Sequence, residues 1–203
     1  MILITNPEVD ALTRYLSVWS EKLKKECKNI QGIFHLKGKR VNRRQIESIL
    51  VKKSVKVILL NGHGSDKSIY GDNYEALIDK DNVELLFNKV AHALSCNTAK
   101  TLGPLAMKKG AKGYVGYDEK FVAFLQEDKI SNPLKDDTAA LFLNPAFIAP
   151  KALINGKTPE EAVRLAKNEY NRSIRKALTS DIQSDNDQFV SWLMWDRNHL
   201  KSC

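Results

Sequence analysis

Cysteine is scarce in this sequence: Cys27, Cys96 and Cys203 are its three, an odd number at wide spacing with no CxxC pair. Such a set builds neither a disulfide framework nor a zinc cage, and no histidine pair stands at ligand spacing beside it. Reduced thiols in a cytosol are the expectation, with no metal or other cofactor called for. Long apolar runs are missing as well. The longest mostly apolar stretch, AALFLNPAFIAPKALI (139–154), has 16 residues and is interrupted by two prolines, an asparagine and a lysine. It is too short and too broken for a membrane span, and reads either as a lid or partner-docking surface or as a core helix broken by proline. MILITNPEVD lacks the basic and apolar regions of a signal peptide. Repeats, low-complexity tracts and an interdomain linker are absent, so 203 residues of which 43% are hydrophobic read as one domain over 1–203, with a strand-helix core (1–120) and a helical part (121–203).

Acidic residues are the other deficit: 24 Asp and Glu face 32 Lys and Arg, a net charge of +8. Residues 1–56 hold 13 basic and five acidic residues, whereas 57–203 hold 19 of each, so the excess belongs to the first quarter. Lys39, Arg40, Arg43 and Arg44 of the run KGKRVNRR are the candidates for phosphate contact. No helix-turn-helix, zinc finger or RNP-like aromatic pattern accompanies them, and a solvated face or a site for an acidic partner is the better default.

What is present is an alternation of strands and helices. Ile2 to Thr5 is an apolar run stopped by Asn6-Pro7, and Leu12, Tyr15, Leu16, Trp19 and Leu23 then fall at helical spacing. Ile30 to Leu36 reads as a strand, and Val41, Gln45, Ile46, Ile49 and Leu50 as a second helix. VKVILL (55–60) and VAHALS (90–95) have the near-continuous apolar character of buried parallel strands. Helices are expected over 81–88 and 99–109, the latter ended by Gly110, and a further strand over GYVGY (113–117). Later, 136–147 is expected to be helical, Thr158-Pro159-Glu160-Glu161 opens a capped helix, and an amphipathic segment from about Asp187 to Leu200 carries Phe189, Trp192, Leu193 and Trp195. The pattern predicts a three-layer α/β fold with a mostly parallel sheet of about six strands and helices on both faces.

In such a sheet functional residues lie beyond the carboxyl ends of the strands. VKVILL runs into Asn61-Gly62-His63-Gly64-Ser65, and VAHALS runs into Cys96-Asn97-Thr98. The interval from 63 to 96 leaves room for a loop and one crossover, which would make the two strands neighbours and bring imidazole and thiol to one edge. A thiol with a pKa of about 8.5 is a strong nucleophile needing modest activation, and His63 could protonate a departing amine. The backbone N–H groups of Gly64 and Cys96 are candidate oxyanion donors, each typically worth about 2.7–4 kcal/mol. Asn61 and Ser65 could orient the histidine or touch substrate, or be ordinary turn residues. Asn97 is a further substrate-contact candidate. His92, inside its strand, reads as a core or interhelical histidine, and His35 and His199 have no partner that the sequence identifies. GHGS lacks the GxGxxG pattern and the GKS/GKT lysine of nucleotide-binding loops.

The blocks VILLNGHGS and VAHALSCNTA resemble the paired blocks of the caspase-like cysteine peptidases, the group that includes caspases, gingipains, clostripain, separase and bacterial CHAT domains. TLGPLAMKKGAKGYVGYDE resembles the segment after the nucleophile in CHAT and gingipain-type members. The likeness covers roughly residues 55–120, is weaker at NGKTPEEAVRLA, and is absent before residue 50. It implies a cysteine endopeptidase with a His63/Cys96 dyad, acting on a protein or peptide and controlled by another protein or by dimerisation. Relatives that cut after Arg or Lys carry an aspartate two residues before the nucleophile, where this chain has Leu94; Asp118 or Glu119 could line the same pocket instead. The alternative is an inactive binding module whose basic first quarter meets nucleic acid or an acidic partner.

Overall fold

A computed structural model describes residues 1–27, 32–179 and 186–203, the side chains of 186–188 excepted. The elements in chain order are β1 (Ile2–Asn6), α1 (Ala11–Glu26), β2 (Ile33–Lys37), α2 (Arg43–Lys52), β3 (Val57–Asn61), β4 (Ile69–Tyr70), β5 (Ala76–Ile78), β6 (Val90–Leu94), α3 (Leu102–Lys108), β7 (Gly113–Tyr117), α4 (Asp137–Ala146), α5 (Ile148–Ile154), α6 (Pro159–Thr179), α7 (Asn186–His199) and β8 (Leu200–Ser202). The six-stranded sheet has the order β2-β1-β3-β6-β7-β8, with every pairing parallel except β7–β8. This is the three-layer α/β architecture that the sequence predicts. Ile30, at the start of the expected second strand, lies outside the described residues.

Both faces of the sheet are buried, which is why β3 and β6 read as continuous apolar runs. Ile4, Leu59, Leu94, Val115 and Tyr117 pack with Leu16, Trp19, Phe142, Leu153, Ala166 and Tyr170 of the helices on one side. On the other, Leu3, Ile58, Leu60, Ala91 and Tyr114 meet Ile46 and Leu50 of α2, Leu102 and Ala106 of α3, and the small β4–β5 hairpin. The stretch 139–154 belongs to this core: Phe142, Leu143, Ala149 and Leu153 are buried, and the segment is two short helices, α4 and α5. The lid or docking alternative is therefore set aside. α6 opens with the expected reciprocal capping box, Thr158 Oγ1 accepting from the Glu161 amide at 3.2 Å and the Glu161 carboxylate from the Thr158 amide at 3.3 Å.

Three local expectations differ from the structure. The helix expected over 81–88 is a single 3-10 turn, Val83–Leu86. The Asn82 side chain is drawn to the Leu77 carbonyl and to Glu47 instead of capping, and Asn88 turns left-handed at φ 60. Residues 96–101 form turns before α3, because Asn97 is left-handed (φ 61) and the Ala99 amide bonds the Tyr117 carbonyl. The C-terminal part is not purely helical: Leu200–Ser202 returns to the sheet as its antiparallel edge. No helix among the described residues is long and apolar enough to cross a membrane.

Candidate active site

Three neighbouring strands deliver three side chains to one edge. β1 and β3 pair in register, Thr5 opposite Leu60, and β3 and β6 likewise, Asn61 opposite Leu94. The chain leaving β1 reaches Asp10, that leaving β3 reaches His63, and that leaving β6 reaches Cys96. The β3–β6 adjacency expected from the spacing is present.

Backbone constraints around the two central exits explain the glycines. Gly62 has φ 139, and a β-carbon there would lie 2.7 Å from Pro7 Cγ; only glycine adopts this conformation without strain. The Gly62 amide donates to the Leu94 carbonyl at 3.3 Å, extending the pairing past the strand end. His63 then enters a tight turn: its carbonyl accepts from the Tyr70 amide, and the Ser65 amide donates to Ser68 O. At Gly64 a β-carbon would lie 2.8 Å from both Ser95 Cβ and Thr98 Cγ2, and 2.9 Å from the Cys96 carbonyl oxygen. The backbone after the histidine is thus seated directly on the cysteine loop. Asp66 adds a second tie, its carbonyl accepting from the Leu102 amide at 2.9 Å.

His63 is oriented by a residue that the sequence reading missed. Its Nε2 lies 2.6 Å from Oδ2 of Asp10. Asp10 is the N-cap of α1, its Oδ1 accepting from the Thr13 amide at 2.8 Å and from the Thr13 hydroxyl at 2.9 Å. Burial opposes ionisation of Asp10, yet the Thr13 amide, the His63 ring and the Thr13 hydroxyl together hold its carboxyl below the usual range. An ionised Asp10 can only accept, so Nε2 carries the proton and donates it, which leaves Nδ1 free to act as a base. Tyr74 stacks on the imidazole, centroids 5.6 Å apart and planes at 22°. Asn73 and Tyr74 have positive φ values of 55 and 57, a local strain that presents this ring beside His63. The signal for Asp10 was its position: the carboxylate immediately before an amphipathic helix that follows β1, with Thr three residues on.

Cys96 is half-buried, and its burial pushes the thiol pKa up. The thiol donates to the Phe121 carbonyl at 4.0 Å and makes no hydrogen bond with His63. Among the described residues neither the Gly64 nor the Cys96 amide donates to a backbone carbonyl, and the Cys96 amide lies close enough to its own sulfur to offset a little of the rise in the thiol pKa. The site can therefore supply a thiol, an imidazole whose tautomer is set by Asp10, and backbone amides on two loops that pack together at Gly64.

The remaining candidates fall elsewhere. Asn61 is buried, its amide donating to Asn6 Oδ1 at 2.7 Å and Ser20 Oγ at 3.1 Å; as a member of an interior network it neither reaches substrate nor touches the imidazole. Ser65 Oγ accepts from the Lys67 and Ser68 amides, the turn role. Asn97 follows Cys96, its amide held by the Glu119 carbonyl. Asp118 is committed to His199 Nδ1 at 2.7 Å and Lys201 Nζ at 3.5 Å, and Glu119 to Lys100 at 3.5 Å. Partners from α7 and β8 thus occupy the Asp118 carboxylate, which removes it as a free acid for a basic substrate side chain. His92 is fully buried, both ring nitrogens without a partner among the described residues, and burial lowers its pKa to about 3; it is a neutral core histidine. His35, also without a partner in the sequence reading, lies beside Glu21, its Nδ1 3.1 Å from the carboxylate. Of the basic set, Arg43 is held by Asp79 at 2.7 Å and Glu47 at 2.9 Å, whereas Lys39 and Arg40 lie in a 3-10 turn after β2 and Arg44 follows in α2.

No protein-family model matches this chain, and no curated protein matches it either.

Proposed function

We propose that this chain is a cysteine endopeptidase of caspase-like type. The observation that carries the reading is the Asp10–His63 hydrogen bond at 2.6 Å, which fixes the imidazole tautomer on a loop whose next residue, Gly64, packs against the cysteine loop. A carboxylate, an imidazole and a thiol thus arrive from three adjacent strands in the order that nucleophilic catalysis uses.

The reaction proceeds in two halves. His63 Nδ1 takes the Cys96 proton as Sγ attacks the scissile carbonyl carbon, and the oxyanion is held by the Gly64 and Cys96 amides. The imidazolium, stabilised by Asp10, passes its proton to the amine as the C–N bond breaks, leaving a thioester. Water then gives a proton to His63 and adds to the thioester carbonyl. Collapse expels the sulfur, which recovers its proton, and frees the new carboxyl terminus. The low thiolate content implied by burial makes this base-assisted route necessary. Cys27, Cys96 and Cys203 are unpaired, which suits the reducing cytosol where we place the protein.

The test is cleavage of a proteome-derived peptide library, with new termini read by mass spectrometry. Cleavage by the wild type that is lost in Cys96→Ala and His63→Ala, abolished by iodoacetamide and untouched by chelators, supports the reading. Cleavage that survives Cys96→Ala overturns it.

A further inference from the structure

One buried carboxylate is left unused by this mechanism. Asp196 of α7 is fully buried; its Oδ1 accepts from the Val122 amide at 3.0 Å, and Oδ2 has no partner among the described residues. The preceding residue, Trp195, donates its indole N–H to the Lys120 carbonyl at 2.9 Å. Between these two grips lies Phe121, whose carbonyl accepts from the Cys96 thiol.

Residues 118–126 have no regular structure, yet hydrogen bonds tie each position from 118 to 122, and 126 as well. The Glu119 carbonyl holds the Asn97 amide at 3.0 Å, and the Gln126 amide donates to Asp136 Oδ2 at 2.8 Å. Phe121 is buried against Tyr117, ring centroids 5.1 Å apart. The segment therefore forms a strap across the thiol. It is fixed by side chains and by isolated backbone bonds at Asp118 and Glu119, not by a ladder or a helix, and its backbone supplies the acceptor to which the sulfur is turned. An attacking Sγ must instead give its proton to His63 and come within about 3–3.5 Å of a substrate carbonyl, and the strap carbonyl occupies that position of the thiol proton.

We propose that the 118–126 strap is an autoinhibitory latch on Cys96, and that Trp195 and Asp196 are positioning residues that keep it closed. The latch regulates the site described above, and as regulation it rests on the reading of Cys96 as nucleophile. Its opening requires the loss of the Trp195 and Asp196 hydrogen bonds, both from one helix, while the Asn97 and Asp136 ties hold its two ends, so a shift of α7 loosens the middle of the strap over the thiol.

The experiment reads the thiol itself. Iodoacetamide labelling of the full-length protein is followed by peptide mass spectrometry, which resolves Cys27, Cys96 and Cys203. Trp195→Phe/Asp196→Ala is expected to label at Cys96 tenfold or more faster than wild type, with Cys203 unchanged and Cys27 still protected. Asp196→Asn, which keeps an acceptor for the Val122 amide, is expected to restore the wild-type rate when combined with native Trp195. A Cys96 rate within twofold of wild type in the double variant, with Cys27 still protected, overturns the latch. Should the double variant expose Cys27, native-state hydrogen exchange of the wild type decides: exchange at the Val122 amide at least a hundredfold faster than at β3 and β6 amides supports local opening, and equal exchange overturns it. Labelling needs no turnover, so a wild type that cleaves nothing while the labelling contrast stands overturns the peptidase reading alone.

Discussion

Replacing Gly64 by alanine tests the contact that holds the histidine and cysteine loops together. The new β-carbon would stand 2.8 Å from Ser95 Cβ and Thr98 Cγ2 and 2.9 Å from the Cys96 carbonyl oxygen. Ordinary carbon contacts begin near 3.5 Å, so the loops must part by about 0.6–0.7 Å. A Cβ atom and a carbonyl oxygen cannot rotate aside as the end of a long side chain can. Overpacking of this kind costs about 1–3 kcal/mol, which at roughly 2–4 °C per kcal/mol for a chain of this size lowers Tm by about 2–12 °C. The same displacement moves the Gly64 amide and the His63 ring relative to Cys96. Misplacement by about 1 Å can cost about 100-fold in rate, so kcat/KM should fall by roughly 10- to 100-fold. Gly156→Ala is the control: its φ is +81 but nothing lies within 4 Å of a β-carbon there, so it should lower Tm without touching activity. Calorimetry and kcat/KM on the best peptide from the library read both effects. A Gly64→Ala protein melting within about 1 °C of wild type, below the expected range, and retaining full activity would refute the reasoning.

Asp10→Asn keeps an oxygen for the Thr13 amide and should melt only slightly below wild type, losing the ionic part of the cap, whereas Asp10→Ala should lose about 0.5–2 kcal/mol of helix capping; both should lose roughly 10²- to 10⁴-fold in kcat, and undiminished kcat in Asp10→Asn would contradict the orienting role. Because the folded Asp10 pKa is below its ordinary value of 3.8, its contribution is present above that value and lost as pH falls through the lower folded value, an acid limb that Asp10→Asn should lack in denaturation titrations. For His92, pKa about 3 in the fold against 6.5, the unfolded chain binds the extra proton between those values; stability should fall as pH drops from 6.5 towards 3, by about 4–5 kcal/mol at most. His92→Leu should remove that dependence and leave neutral-pH stability unchanged or raised, and urea titrations at pH 7 and 4 check it. Arg43→Met should cost about 1–2 kcal/mol through the loss of the Asp79 and Glu47 pairs, with no change in salt-titrated RNA retention; weakened retention would return this arginine to a binding surface.

The parts of the site that could be read in advance are those where chemistry and position coincide along the chain. His63 and Cys96 each terminate an apolar run buried on both faces, so strand type, strand end and side chain were visible together. Asp10 was not, because its importance comes from β1 lying beside β3, and nothing local distinguishes an N-cap carboxylate that binds a distant imidazole from one that only caps. Asn61 and Asp118 looked suitable for the converse reason: both end strands at the right edge, but their side chains are taken up by Asn6 and Ser20 in one case and by His199 and Lys201 in the other. Trp195 and Asp196 stand some hundred positions from Cys96 and resemble ordinary helix residues until β8 docks on β7 and brings α7 over the thiol.

By itself, the sequence determined the alternation of elements, the parallel buried strands, and the two loops in which an imidazole and a thiol stand, since hydrophobic periodicity and turn residues are properties of neighbours along the chain. Beyond the β3–β6 adjacency, strand order was decided only by the tertiary structure, and with it which carboxylate meets the histidine, which charges are already neutralised, and what covers the cysteine. Those depend on side chains brought together across long separations, where the energy lies in contacts that no local pattern records.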